Sequence, residues 1–132
     1  MSIILRVNMA SLAASQEEAP REYASLGGRA LTSRIVLREV PADCDPLGPD
    51  NKLVMAPGLL GGTAVTTSGR TSFGAKSPLM GGCKEANVGG TLGHRLSRLG
   101  IKATIIEGAP PDDVWRVLYI DSSGARLEPA PA

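Results

Sequence analysis

The sequence predicts an α+β domain: a mostly antiparallel β-sheet with one or two helices. Three observations carry that expectation. Apolar, β-branched runs of strand length recur along the chain at residues 3–7, 52–56, 71–76, 103–107 and 114–120. Clusters of proline, glycine and aspartate at 41–50, 110–113 and 121–124 separate them. A helical stripe of Val88, Leu92, Leu96 and Leu99 then ends on Gly100.

Taken in order, residues 3–7 form a strand, and residues 15–19 return beside it after a turn at 9–13, giving a starting hairpin. Pro20 interrupts. Residues 30–40 carry two periods at once: Ile35-Val36-Leu37 reads as strand, whereas Ala30, Leu31 and Ile35 admit a helix. Three prolines make 41–50 a loop, and residues 52–56 follow as a strand buried on both faces. A connection rich in turn residues, 58–69, leads to the strand 71–76, where Gly74 fits a bulge or a close backbone approach. Asn87 reads as the N-cap of a helix whose first turn holds Gly89 and Gly90, with His94, Arg95 and Arg98 facing away from its apolar stripe. Residues 103–107 are the clearest core strand, 114–120 another, and 126–128 an edge ended by Pro129 and Pro131.

The chain has 132 residues, enough for a single domain over 1–132 with one core. That core rests on aliphatic residues, because Tyr23, Phe73, Trp115 and Tyr119 are the aromatic complement. A formal charge of +1 argues against a nucleic-acid binder, which carries a general basic excess with aromatic stacking platforms. No apolar run approaches the roughly 18 residues that span a bilayer, and residues 1–6 lack a basic-then-apolar leader, so the expectation is a cytoplasmic protein with no membrane contact. Cys44 and Cys83 lie far apart, outside any C-x-x-C pair. They read as free thiols, and the chain is expected to hold no iron–sulfur cluster.

Residues 58–93 hold ten of the sixteen glycines. Extending that window to 102 collects Arg70, Lys76, Lys84, Arg95, Arg98 and Lys102 against the single carboxylate Glu85. Small residues that uncover backbone N–H groups, joined to cations, suit an anion such as phosphate. Close packing and turns are the alternative use of the same glycines.

Six ordered segments now bear on identity: LRVNM (5–9), LGGRA (26–30), DPLGPDNKLVMAPGLLGGT (45–63), SGRTSFGAKSPLMGG (68–82), EANVGGTLG (85–93) and IIEG (105–108). Together they resemble the amino-terminal domain of tungsten-containing aldehyde ferredoxin oxidoreductases, of which the chain represents the first part. The resemblance favours a helix at 30–40. It implies a face for a bis-pterin cofactor, tungstopterin or molybdopterin with magnesium. Arg70 matches an arginine that contacts cofactor phosphate, and Asn87 matches an asparagine whose backbone carbonyl binds the magnesium that bridges the two phosphates. A hard cation of this kind takes oxygen ligands and borrows them from phosphate. Gly89 and Gly90 join the cofactor-binding set from the helix-start reading alone.

The remaining chemistry is sparse. His94 has no partner at metal-ligand spacing and reads as a helix-surface residue. Ser68, Ser72 and Ser77 lack a nucleophile elbow, and no Walker-type G-x-x-x-x-G-K sequence occurs. Arg95 and Lys102 stand where family members tend to be acidic, making this face more basic. The reading is a stand-alone cofactor-cradling domain, not active alone, serving a larger oxidoreductase subunit or self-associating as a homo-oligomer. A binding or structural module that kept the fold and lost the cofactor is the alternative. A reshaped enzyme ranks last, because no acid–base pair or nucleophile stands out.

Overall fold

The computed structural model describes residues 2–131. Eight strands and two α-helices follow in order: β1 (Ile3–Asn8), β2 (Ala13–Glu18), α1 (Gly28–Glu39), β3 (Lys52–Pro57), β4 (Thr71–Lys76), β5 (Cys83–Val88), α2 (Leu92–Arg98), β6 (Ile101–Glu107), β7 (Arg116–Asp121) and β8 (Gly124–Pro129). Six strands form one sheet in the order β2-β1-β6-β3-β4-β5, and β7 and β8 make a separate hairpin. All pairings are antiparallel but one, since β1 and β6 run parallel with Leu5 opposite Thr104. The expected α+β class, mostly antiparallel with two helices, is what folds.

Side-chain alternation along the central strands builds two cores. Ile4, Val54, Ala56, Ala103 and Ile105 point to one face, where Leu31, Ile35 and Val36 of α1 and its C-cap Val40 cover them, with Tyr23 at the margin. Leu5 and Val7 point the other way and meet Leu96 of α2, Ile101, and Leu118, Ile120 and Leu127 of the hairpin. Each fully buried aliphatic side chain contributes roughly 1.5–3 kcal/mol through lost water contact. Residues 30–40 therefore settle as helix, because Leu31 and Ile35, one turn apart, both reach zero exposure against the sheet.

Three expectations need correction. No strand is expected at 83–88, yet β5 is there, paired with β4 from Lys76↔Cys83 to Thr71↔Val88. The helix at 87–99 shrinks to 92–98, and its N-cap is Thr91. The strand at 52–56 is not buried on both faces: Val54 is fully buried but Leu53 is 42% exposed. Gly74 makes a close approach and no bulge; a Cβ there would lie 2.7 Å from Cβ of Thr32 on α1. No helix among the described residues is long and apolar enough to cross a membrane.

An ionic cluster ties the end of α1 to the sheet. Both Arg6 Nη atoms donate to the Glu39 carboxylate, at 2.8 and 2.9 Å, while Arg6 Nε donates to Glu17 at 2.8 Å. Lys52 bridges Glu39 and Glu107. Burial pushes the Glu39 carboxyl upward, but the hydrogen bond and charge of Arg6, with Lys52 beside it, outweigh that and leave it below the usual value. A lowered folded pKa gives stability that is fully present above the unfolded glutamate value of about 4.3 and is lost as pH falls through the folded value. Glu39→Gln leaves Arg6 and Lys52 short of a counter-charge, so it is expected to cost about 2 kcal/mol at pH 7. Urea titrations should show that gap narrowing below about pH 4. A constant gap across pH would assign the loss to something other than the carboxylate charge.

Candidate functional site

Arg70 lies one residue before β4, and Asn87 is the penultimate residue of the neighbouring β5. Register places Asn87 beside Ser72, so the Arg70 side chain has to reach across only one strand. Arg70 Nε donates to Asn87 Oδ1, and an Arg70 Nη atom approaches the Asn87 backbone oxygen at 3.4 Å. Asn87 Nδ2 in turn donates to Ser72 Oγ at 3.0 Å. Ser72 is 2% exposed, which fixes the amide on a rigid floor.

This trio forms one wall of an open concavity of about 600 Å³. The opposite wall is the first turn of α1, with Gly28, Arg29 and Ala30. No side chain caps that helix start: the N-cap is Gly27, where a Cβ would collide with Leu59 N at 2.5 Å. Gly28 has φ +53°, the left-handed conformation that glycine adopts without strain, and a Cβ on it would come within 3.4 Å of Ser72 Oγ. The first-turn N–H groups of a twelve-residue helix are thereby left uncovered at the mouth of the concavity. Glu85 completes the lining; one carboxylate oxygen stands 3.4 Å from an Arg29 Nη atom, and the other is buried with no hydrogen-bond partner among the described residues.

The sequence-derived residues thus divide. Arg70 and Asn87 are adjacent, as the anion reading requires, but Asn87 is a strand residue and caps no helix. The asparagine-before-glycine pattern misleads because the amide is taken up by Arg70 and Ser72. Gly89 and Gly90 lie in the connection ahead of α2 and outside its first turn. A Cβ on Gly89 would sit 3.4 Å from Arg70 Nη1, whereas Gly90 has φ +116° and open space around it. His94 is no free surface residue: its Nδ1 accepts the Gly62 N–H at 3.0 Å. Sequence reasoning missed Gly28, Arg29, Ser72 and Glu85. The LGGRA segment was the available signal, since paired glycines opening a helix are a phosphate-site pattern.

Chemically, two guanidinium groups and exposed helix-start amides face one carboxylate, a balance that accepts an anion. Phosphate groups of a pterin cofactor fit this donor set, and the Asn87 backbone oxygen is an acceptor of the kind a magnesium ion takes.

Tungsten-containing aldehyde ferredoxin oxidoreductase of Thermococcus kodakarensis is 38% identical over 128 residues, covering 96% of this chain and 21% of the relative. The enzyme of the same description from Pyrococcus furiosus is 37% identical over the same shares. Among solved structures, the active-site complex BamBC of benzoyl-coenzyme A reductase with 1,5-dienoyl-CoA superposes with a TM-score of 0.88 at 27% identity, covering 97% of this chain and 20% of that one. The chain therefore spans about a fifth of the length of these relatives. Residues 4–132 match the family described as the aldehyde ferredoxin oxidoreductase N-terminal domain, and the chain belongs to that family.

Proposed function

We propose that this domain cradles the phosphate end of a tungsten- or molybdenum-bearing pterin cofactor for an oxidoreductase, and that it is not an enzyme by itself. The observation that carries the reading is the Arg70–Asn87 contact facing the uncovered start of α1 across one concavity. Arg70, with Arg29 beside it, would meet phosphate oxygens; Gly89 and Gly90 would let the ligand approach the backbone; and the Asn87 carbonyl would face magnesium. The cofactor would supply the redox chemistry through its metal. This chain contributes binding and orientation, and the cluster and any acid or base come from the rest of the assembly.

Residues 1–132 act as a single domain in this reading, within the cytoplasm, where Cys44 and Cys83 stay as free thiols. Self-association or docking on a larger oxidoreductase subunit follows from the surface. β5 leaves one edge of the sheet unpaired, and nearby Leu79 and Met80 are 91% and 78% exposed. Open strand edges and exposed apolar side chains are normally covered. Sedimentation is expected to give a dimer or larger species for the isolated chain; a monomer at high concentration would argue against the homo-oligomer.

The direct test is metal analysis and pterin mass spectrometry on the chain purified after co-expression with an oxidoreductase partner. Tungsten or molybdenum with pterin in the complex is the expected result. Their absence from a stable complex would leave a module that kept the fold and lost the cofactor.

A further inference from the structure

The structure assigns a second oxyanion site, apart from the Arg70 concavity, to the groove between α2 and the loop at residues 63–67. The sequence gathers six cations between Arg70 and Lys102, and the fold disposes of half of them. Arg70 bonds to Asn87, Lys76 Nζ donates to the carbonyls of Ala42 and Cys44, and Lys102 Nζ donates to the carbonyl of Ala24. Lys84, Arg95 and Arg98 make no ion pair among the described residues. Of these, Arg95 and Arg98 share one cavity.

They stand three residues apart on α2, hence on one face, while Leu96 between them is 2% exposed and anchors the other. Two like charges on adjacent helix positions repel, and an anion between them relieves the repulsion. The groove holds about 480 Å³ and is completed by hydroxyl groups, of which Thr66 and Thr91 make no side-chain hydrogen bond among the described residues.

Close packing holds the loop beside this face. A Cβ at Gly62 would lie 2.8 Å from Ser97 Cβ, at Gly69 2.6 Å from His94 Cδ2, and at Gly93 2.6 Å from the Gly69 carbonyl. His94 Nδ1 accepts the Gly62 N–H, pinning the loop to the helix. Thr67 has φ +60°, a conformation a β-branched residue rarely takes. These glycine-to-helix contacts preform a groove with two forked cations and two free hydroxyls, chemistry that matches a phosphate monoester or free phosphate.

Amide NMR of the 132-residue chain, titrated with inorganic phosphate against sodium chloride at matched ionic strength, tests this. Saturable shifts at 63–67 and 91–98 at roughly millimolar phosphate are expected, with chloride giving none. The double variant Arg95→Ala/Arg98→Ala should weaken that phosphate affinity at least roughly tenfold, whereas Lys84→Ala, at an exposed cation outside the groove, should leave it unchanged. Arg95→Lys/Arg98→Lys should recover part of the affinity, since charge persists without the fork. Shifts confined to the surroundings of Arg70, identical shifts with chloride, or an unaffected double variant would each overturn the proposal. Because the readout at 63–67 is separate from that at Asn87, failure here and failure of the cofactor reading can be told apart.

Discussion

Arg70→Ala is expected to strip pterin from the complex in which this chain is purified, lowering retention roughly ten- to a hundredfold. The change removes a charge-assisted donor from the concavity and leaves Asn87 Oδ1 without its partner. Arg70 is exposed, so folding should shift by no more than about 0.5 kcal/mol. Thermal melts of the variant therefore serve as the control that separates lost binding from lost structure. Arg70→Lys keeps the charge but not the planar fork, and pterin content should recover only in part. Full pterin content in Arg70→Ala would overturn the assignment of this concavity, whatever else the domain binds.

Gly74→Ala should be the most damaging single methyl that can be added to the sheet, at about 2–3 kcal/mol. The new Cβ would meet Thr32 Cβ at 2.7 Å and Thr32 Oγ1 at 2.8 Å, and Thr32 has no exposed surface into which it can retreat. Relief requires α1 to lift from β4. That movement would also draw Gly28 and Arg29 away from Ser72, so stability and the candidate site should suffer together. Gly82→Ala is the matched control: nothing lies within 4 Å of the methyl it would add, and denaturant titration should place it within about 0.5 kcal/mol of the parent. Equal costs for the two substitutions would mean that helix-to-sheet contact is not what Gly74 serves.

Much of this fold can be read from residues whose period and burial agree. Strands β1, β3 and β6 announce themselves because their apolar side chains are the core. β5 does not, and the reason is physical: five of its six residues are exposed, so an edge strand of sequence CKEANV carries no hydrophobic alternation. Without β5, the asparagine at its end has no partner strand and falls to the following helix. The Arg70–Asn87 proximity is nevertheless legible through the family resemblance. LGGRA signals the α1 wall but not what it faces, because Gly28 and Arg29 meet Ser72 and Glu85 only after the helix has packed across β4. The parallel β1–β6 pair is hidden for the same reason, since pairing partners so distant in sequence leave no mark on either segment.

That parallel pair has a consequence for biosynthesis. The β1–β2 hairpin leaves the ribosome well before the strand that must lie against Leu5 and Val7. Until it arrives, the nascent chain presents a greasy, unsatisfied ribbon, and closing so long a loop slows the search for the final arrangement. Production should thus depend on chaperone supply during the interval before β6 is made more than on the final stability of the product.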